Sequence, residues 1–152
     1  MLPAPKKVRL AAGAAEGPTP LNAFDNALLA AGIGNLNLVR VSSILPPGCV
    51  YDPDFAVPPG SLTPTAYGWL GSGESGAEIS AAIGVGFCVD DYGVIMEYEG
   101  PVGRDAAEAQ VEAMVRAAFT QRGKTLRDLR VLAASLRVRR QGAVVAAAVL
   151  WY

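Results

Sequence analysis

Apolar residues recur at helical spacing over residues 21–31 and predict the first helix of the chain. Thr19 is a suitable N-cap, Pro20 fits the first helical position, and Gly32 is well placed to end the helix. Asp25 is expected to place its carboxylate at the border of the buried face of this helix. The predicted apolar face consists of Leu21, Phe24, Leu28 and Ala31.

A second helix is predicted from Asp105 to Gly123. Asp105 and Glu108 have the spacing of a capping box, in which each side chain binds a free N–H at the helix start. Gly123 is expected to end the helix. The apolar positions that follow helical spacing are Val111, Met114, Val115, Ala118 and Phe119.

Alternating or continuous apolar runs predict strands in the rest of the chain. Residues 45–64 are rich in proline and are expected to be extended loop. Residues 71–76 are interpreted as a hairpin connection, and Gln141 and Gly142 as the turn between the last two strands. The last strand is apolar on both faces, which predicts a central position. Two helices among many strands indicate an α+β fold. The predicted strands are 7–12, 36–42, 65–71, 78–88, 94–99, 130–138 and 143–151.

Charge and composition exclude several classes of function. Thirteen basic and 14 acidic residues give a formal charge of −1 without a basic cluster, so no nucleic-acid partner is expected. Cys49 and Cys88 lack zinc-site spacing, and the chain has no histidine, so no metal is expected and two unpaired cysteines are favoured over a disulfide. The N-terminus has no signal-peptide pattern, and residues 143–152 are too short to span a bilayer. A cytoplasmic protein without a membrane partner is expected.

The two adjacent serines Ser42 and Ser43 end an apolar run and are the most distinctive chemical feature. Because the chain contains no histidine, a Ser-His-Asp triad is excluded. Taken alone, the pair is better explained by hydroxyl groups that satisfy the backbone where a strand becomes a loop.

The surrounding segments give these serines a context. The chain resembles the pyruvoyl-dependent arginine decarboxylases from about residue 8 to the C-terminus. The segments that carry the resemblance are Glu-Gly-Pro-Thr-Pro-Leu-Asn-Ala-Phe-Asp (16–25), Ser-Ser-Ile-Leu-Pro-Pro (42–47), Pro-Thr-Ala-Tyr-Gly (64–68), Glu-Ile-Ser-Ala-Ala-Ile (78–83), Ile-Met-Glu-Tyr-Glu-Gly (95–100) and Ala-Ala-Ala-Val-Leu-Trp-Tyr (146–152).

The resemblance implies a four-layer αββα sandwich that assembles as a homotrimer or a dimer of trimers, with active sites between neighbouring subunits. It also implies self-processing of the single domain 1–152. Ser43 Oγ would attack the Ser42 carbonyl, and β-elimination of the resulting ester followed by hydrolysis would leave fragments 1–42 and 43–152, the second beginning with a pyruvoyl group. L-Arginine would form a Schiff base with this carbonyl and leave as agmatine and CO2. Pyridoxal phosphate is not expected, because Lys6, Lys7 and Lys124 are poorly placed to hold it.

The resemblance assigns roles to particular residues. Glu97 would protonate Cα after CO2 leaves, and Glu99, two residues later, shares its strand face. Asn37 and Ser42 would lie beside the pyruvoyl group and position its carbonyl or stabilise an oxyanion. Without the resemblance, exposed positions on an edge strand are the favoured interpretation of the two glutamates.

Substrate recognition is assigned to the first helix and its end. Asp25 would pair with the guanidinium group of arginine, and Leu28 would line the slot for its methylene groups. Gly34 would contribute a backbone contact, although Gly32 and Gly34 also fit a simple helix stop.

Two alternatives remain beside arginine decarboxylation. One is a pyruvoyl decarboxylase of another amino acid, although Asp25 favours a cationic side chain. The other is an unprocessed relative that serves as a non-catalytic trimeric module. Cleavage of the chain distinguishes the enzymes from this module.

Overall fold

The computed structural model describes residues 2–152, which form two β-sheets and two α-helices, and the predicted α+β class is confirmed. The elements are β1 (Lys7–Glu16), α1 (Pro20–Ala30), β2 (Asn37–Arg40), β3 (Ile44–Leu45), β4 (Val50–Tyr51), β5 (Leu62–Ser72), β6 (Glu78–Cys88), β7 (Asp91–Gly100), α2 (Arg104–Gln121), β8 (Asp128–Arg137) and β9 (Gly142–Trp151).

The first sheet has the strand order β2-β5-β9-β1-β4, and the second has the order β3-β7-β6-β8. In the first sheet, β9 lies between β1 and β5 and is antiparallel to both. Its residues are buried from Gly142 to Leu150, which confirms the predicted central position.

The main core lies between the two sheets. Val8, Ala146 and Leu150 of the first sheet share one buried cluster with Ile83 and Val85 of the second. Burial of each of the larger side chains contributes roughly 1.5–3 kcal/mol relative to an exposed position. The two sheets therefore hold each other in place and fix the relative position of β5 and β7, on which the candidate site is built.

Helix α1 begins as predicted, because the Asn22 N–H donates to Thr19 Oγ1 at 3.1 Å. Its predicted apolar face is wrong at Leu21, which is 74% exposed, while Ala23 and Ala27 are fully buried. The close approach of α1 to β1 explains the difference. A Cβ at Gly13 of β1 would lie 2.5 Å from the Ala31 nitrogen, so there is room only for small side chains at the contact.

Helix α2 ends as predicted before Gly123, which adopts the left-handed φ of +64°. The predicted capping box is wrong. The N-cap is Gly103 without a side-chain cap, and Glu108 pairs with Arg104 at 3.2 Å instead. Because the helix starts at Arg104, Asp105 lies within the first turn rather than before it.

The predicted hairpin at residues 71–76 is also wrong. Residues 73–77 connect β5 to β6, and residues 138–141 connect β8 to β9, and in both cases the two strands belong to different sheets. Residues 45–64 are not all loop either, since they contain β4 and the start of β5, and β3 ends within them. These short strands pair with distant parts of the chain, a signal that local sequence does not carry.

Neither helix in the described residues 2–152 combines the length and the apolar character needed to cross a membrane.

Candidate active site

Ser42 and Ser43 lie in the short connection between β2 and β3. Ser42 is exposed and Ser43 is partly buried. The Ser43 carbonyl oxygen accepts a 2.7 Å hydrogen bond from the Ile95 N–H of β7, so the residue that would carry the new carbonyl group is anchored to a core strand. This anchoring fits a group formed from Ser43. Within residues 2–152, the serine hydroxyl groups that form hydrogen bonds are those of Ser61, Ser72 and Ser80, so the hydroxyl groups of Ser42 and Ser43 form none there.

Glu97 follows Ile95 by two residues on β7, so the two side chains lie on the same face of the strand. Two residues of an antiparallel strand span about 7 Å. The Glu97 side chain is 29% exposed. Burial raises the pKa of its carboxyl group above the ordinary value, with Arg40 opposing the rise and Glu99 adding to it. A raised pKa keeps the group protonated to higher pH, as a proton donor requires.

Gly68 of β5 leaves space for the acidic side chains of β7. A Cβ at Gly68 would lie 2.5 Å from Glu99 Oε2 and 3.2 Å from the Cβ of Glu97. Both glutamates therefore extend from the same face of β7 toward this glycine of the opposite sheet, as the alternation predicted. Glu97 consequently lies beside the opposite sheet and is only partly exposed.

Arg40 and Tyr67 belong to the same neighbourhood and were missed by the sequence prediction. The Arg40 Nη2 group donates to the Tyr67 carbonyl at 2.7 Å and lies 3.9 Å from Glu97 Oε1. The Arg40 guanidinium also lies over the Tyr67 ring, 4.7 Å from its centroid. The position of Arg40 three residues before Ser43 was a signal that could have drawn attention to it.

Asn37 is the first residue of β2 and holds the loop before β5. Its side-chain amide donates to the Gly60 carbonyl at 2.8 Å, and its main-chain N–H donates to the Ser61 carbonyl at 3.0 Å. The amide group is exposed. In this arrangement Asn37 orders the start of the segment that leads to Ser43.

Asp25, Leu28 and Gly34 lie at α1 and its C-terminal end, on the first sheet, whereas Glu97 lies on the second. Asp25 is exposed and Leu28 is partly buried. Gly34 allows a close approach of the chain to the helix end, since a Cβ there would lie 2.8 Å from the Leu29 nitrogen. Within residues 2–152 of a single chain, Asp25 makes no ion pair or hydrogen bond with the neighbourhood of Ser43 and Glu97.

A pocket of about 390 Å³ lies elsewhere, at the end of β3 and the β6–β7 turn. Both cysteines line it as free thiols, and burial raises the pKa of Cys49 to about 11. Neither Ser43 nor Glu97 lines it, so this pocket is separate from the candidate site. Among residues 2–152, no three acidic or cysteine side chains come together in a way suited to a metal ion.

The chain matches a protein-family model described as pyruvoyl-dependent arginine decarboxylase over residues 7–152. The chain belongs to this family, and the resemblance seen in the sequence is confirmed.

Curated relatives agree with the family match over almost the full length. A pyruvoyl-dependent arginine decarboxylase of Methanocaldococcus jannaschii is 48% identical over 150 residues, which cover 97% of this chain and 91% of the relative. One of Pyrococcus horikoshii is 44% identical over 151 residues, with 97% and 96% coverage. One of Methanococcus maripaludis is 42% identical over 151 residues, with 98% and 92% coverage.

Proposed function

We propose that this protein is a self-processing decarboxylase that converts L-arginine to agmatine and CO2 with a pyruvoyl group made from Ser43. The observation that carries the proposal is the anchoring of Ser43 to Ile95, two residues from the partly buried Glu97, in a chain of the pyruvoyl-dependent arginine decarboxylase family. The substrate assignment follows the relatives, which are named pyruvoyl-dependent arginine decarboxylases.

Maturation would use atoms of the chain and one water molecule. Ser43 Oγ attacks the Ser42 carbonyl carbon, and the C–N bond breaks as the Ser43 nitrogen takes a proton. Loss of the Ser43 Cα proton then releases Ser42 as a carboxylate and leaves a dehydroalanine. Addition of water and loss of ammonia complete the conversion. The single domain 1–152 thereby becomes fragments 1–42 and 43–152.

The pyruvoyl group supplies the electron sink that amino acid decarboxylation needs and that no side chain provides. Glu97 protonates Cα of the product, for which its raised pKa is suited. Asn37 and Ser42 flank the reacting carbonyl and stabilise negative charge on its oxygen. Asp25 binds the guanidinium group of arginine, Leu28 contacts its methylene groups and Gly34 contributes a backbone contact.

The assembly we propose is a trimer, or two stacked trimers, of four-layer αββα subunits. The packing of α1 on β1 and β9 and of α2 on β6 and β7 supports the layer order. The separation of Asp25 and Glu97 onto different sheets supports a site shared between subunits. Three apolar side chains around the β2–β3 connection are 43–71% exposed: Val39, Ile44 and Leu62. Their exposure supports a subunit contact there.

We place the enzyme in the cytoplasm, where a reducing environment keeps Cys49 and Cys88 as thiols. The partners are arginine, agmatine and further copies of the chain, without nucleic acid or membrane.

The decisive experiment combines intact mass with product analysis. Purified protein should contain fragments 1–42 and 43–152, the larger resistant to Edman degradation, and should release agmatine from arginine. Light scattering then counts the subunits. An uncut chain without turnover would identify a non-catalytic relative, and turnover of another amino acid in preference to arginine would contradict the substrate assignment.

A further inference from the structure

We propose that Arg40 is a positioning residue for Glu97: its guanidinium group, held by Tyr67, fixes the place of the Glu97 carboxyl group in the candidate site. The inference rests on the proposed function, in which Glu97 is the proton donor. It concerns a residue that the family resemblance did not bring to notice.

Three contacts fix the Arg40 guanidinium. One N–H donates to the Tyr67 carbonyl at 2.7 Å, the planar group lies over the Tyr67 ring at 4.7 Å, and Nη2 faces Glu97 Oε1 at 3.9 Å. A planar group with several donors can serve a carbonyl, a ring and a carboxylate together, whereas the single ammonium of lysine cannot. The contacts with Tyr67 therefore hold the charge of Arg40 beside Glu97.

Two charged side chains, Arg40 and Glu99, act on Glu97 from the elements around it. On β2 the charged group is Arg40, and on β7 itself it is Glu99. On β5 the nearest residue is Gly68, and on β6 the residue opposite Glu97 is Ile83, neither of which has a charge. Within residues 2–152, Arg40 is thus the cation that pairs with Glu97, and it opposes burial and Glu99.

The position of Arg40 in the chain makes this pair specific to the site. Arg40 lies in the segment 1–42 and Glu97 in the segment 43–152, so the pair would join the two fragments after cleavage. Arg40 also lies two residues before Ser42. The hydrogen bond to Tyr67 therefore fixes both the acid and the last residues of the shorter fragment at the place of reaction.

The charges predict opposite effects for two substitutions. Arg40→Gln removes the group that lowers the pKa of Glu97, so the pKa should rise. Glu99→Gln removes a group that raises it, so the pKa should fall. Arg40→Lys keeps the charge beside Glu97 but loses the planar contacts, so it should restore the pKa in part. Arg104→Gln is the matched control, because Arg104 pairs with Glu108 on α2 and its loss changes the net charge equally.

The first measurement is a carboxyl ¹³C titration by NMR, with Glu97 assigned through Glu97→Gln, in a Ser43→Ala background. It needs neither cleavage nor turnover, so its result is independent of the proposed function. The proposal expects a higher pKa for Glu97 in Arg40→Gln, a lower one in Glu99→Gln and no change in Arg104→Gln. An unchanged or lowered pKa in folded Arg40→Gln would overturn it.

The second measurement is turnover of the cleaved enzymes against pH. A proton donor acts in its protonated form, so activity falls as pH rises through its pKa. The alkaline limb of the pH–rate profile should move to higher pH in Arg40→Gln and to lower pH in Glu99→Gln. In addition, kcat of Arg40→Gln should fall on the order of 10- to 100-fold with KM little changed. If the wild type is active but the alkaline limb of the pH–rate profile does not move in Arg40→Gln, the proposed role of Arg40 is refuted and the proposed function is not. An inactive, uncut wild type would instead refute the proposed function.

Discussion

The carbonyl oxygen of Ser43 accepts a 2.7 Å hydrogen bond from the N–H of Ile95. Ile44 of β3 lies opposite Val94 of β7, and this bond extends the pairing of the two strands by one residue. The main chain after the proposed cut is therefore held by a sheet, while Ser42, before the cut, is exposed. Bond cleavage at this place would separate a residue whose carbonyl group is held by the sheet from one that is exposed.

Removal of the attacking hydroxyl should abolish processing. Ser43→Ala is expected to give one intact chain by mass spectrometry, whereas wild type gives fragments 1–42 and 43–152. Ser42→Ala is the adjacent control, because it keeps the main-chain carbonyl that is attacked and should still be cut. Cleavage in Ser43→Ala would disprove the assignment of the nucleophile.

The two glutamates of β7 should differ strongly in their effect on turnover. Loss of a general acid typically costs 10²–10⁴-fold in rate, so Glu97→Gln should mature yet release agmatine slower by about that factor. Glu99→Gln should lose much less. Rates are to be measured on fully cleaved protein, with carbonyl content checked by a hydrazine reagent. A larger loss at Glu99 would reverse the two roles.

Asp25 should affect arginine binding and not maturation. Asp25→Asn removes a charge-assisted pair, which typically costs about 1.5–3 kcal/mol, so binding of arginine should weaken roughly ten- to a hundredfold. Intact mass should show normal cleavage. Asp105→Asn, at another exposed aspartate on the outer helix α2, is the control. Unchanged arginine kinetics in Asp25→Asn would mean that the guanidinium group is bound elsewhere.

Gly68 should be needed for the placement of the acids and not for the fold. The Cβ of Gly68→Ala would displace the flexible end of Glu99 and press on Glu97 at 3.2 Å. We therefore expect a folded protein whose turnover falls on the order of tenfold or more, since small misplacement of a catalytic group is costly. Gly71→Ala on the same strand is the control, because its Cβ would meet a Trp69 ring atom at 3.3 Å and the Gly142 carbonyl oxygen at 3.6 Å, and neither glutamate. Equal activity of the two variants would contradict this role.

Glu16 should make stability depend on pH. Its carboxylate accepts hydrogen bonds from the main-chain N–H groups of Arg140 at 2.7 Å and of Gln141 at 3.1 Å, and these bonds, chiefly that of Arg140, lower its pKa below the ordinary value.

A carboxyl group whose pKa is lower in the folded state stabilises the fold above its unfolded pKa, and this stabilisation is lost as pH falls through the folded pKa. The thermal unfolding temperature of Glu16→Gln should thus lie below that of wild type at neutral pH. The difference between the two temperatures should shrink in acid. Glu74→Gln, on an exposed turn, is the control. A difference between wild type and Glu16→Gln that persists unchanged into acid would contradict the prediction.

The elements of this fold were largely predictable because their signals are local. Thr19 and Gly32 mark the limits of α1, and the apolar run of β9 indicates a central strand. The partners of β3 and β4 were not predictable, because pairing such as Ile44 with Val94 depends on contacts across 50 residues of sequence. For the same reason, residues 71–76 were interpreted as a hairpin connection, although the chain passes there from one sheet to the other.

Some residues of the candidate site could likewise be predicted from the sequence, and others could not. Ser43 and Glu97 were proposed from the family resemblance, and the alternation of β7 placed Glu99 beside Glu97. Arg40 and Gly68 were not found, because their importance comes from the approach of β2 and β5 to β7, which no periodicity in one segment records.

The central position of β9 has a consequence for the life of the processed protein. Strand β1, which would belong to the shorter fragment, is paired with β9 along its whole length and with β4 on its other side, and β2 is paired with β5. The two fragments would therefore remain interlocked after the cut and copurify without a covalent link. Refolding, however, would become an encounter of two molecules, so recovery from denaturation should depend on dilution, whereas the uncut precursor carries both parts at a fixed effective concentration.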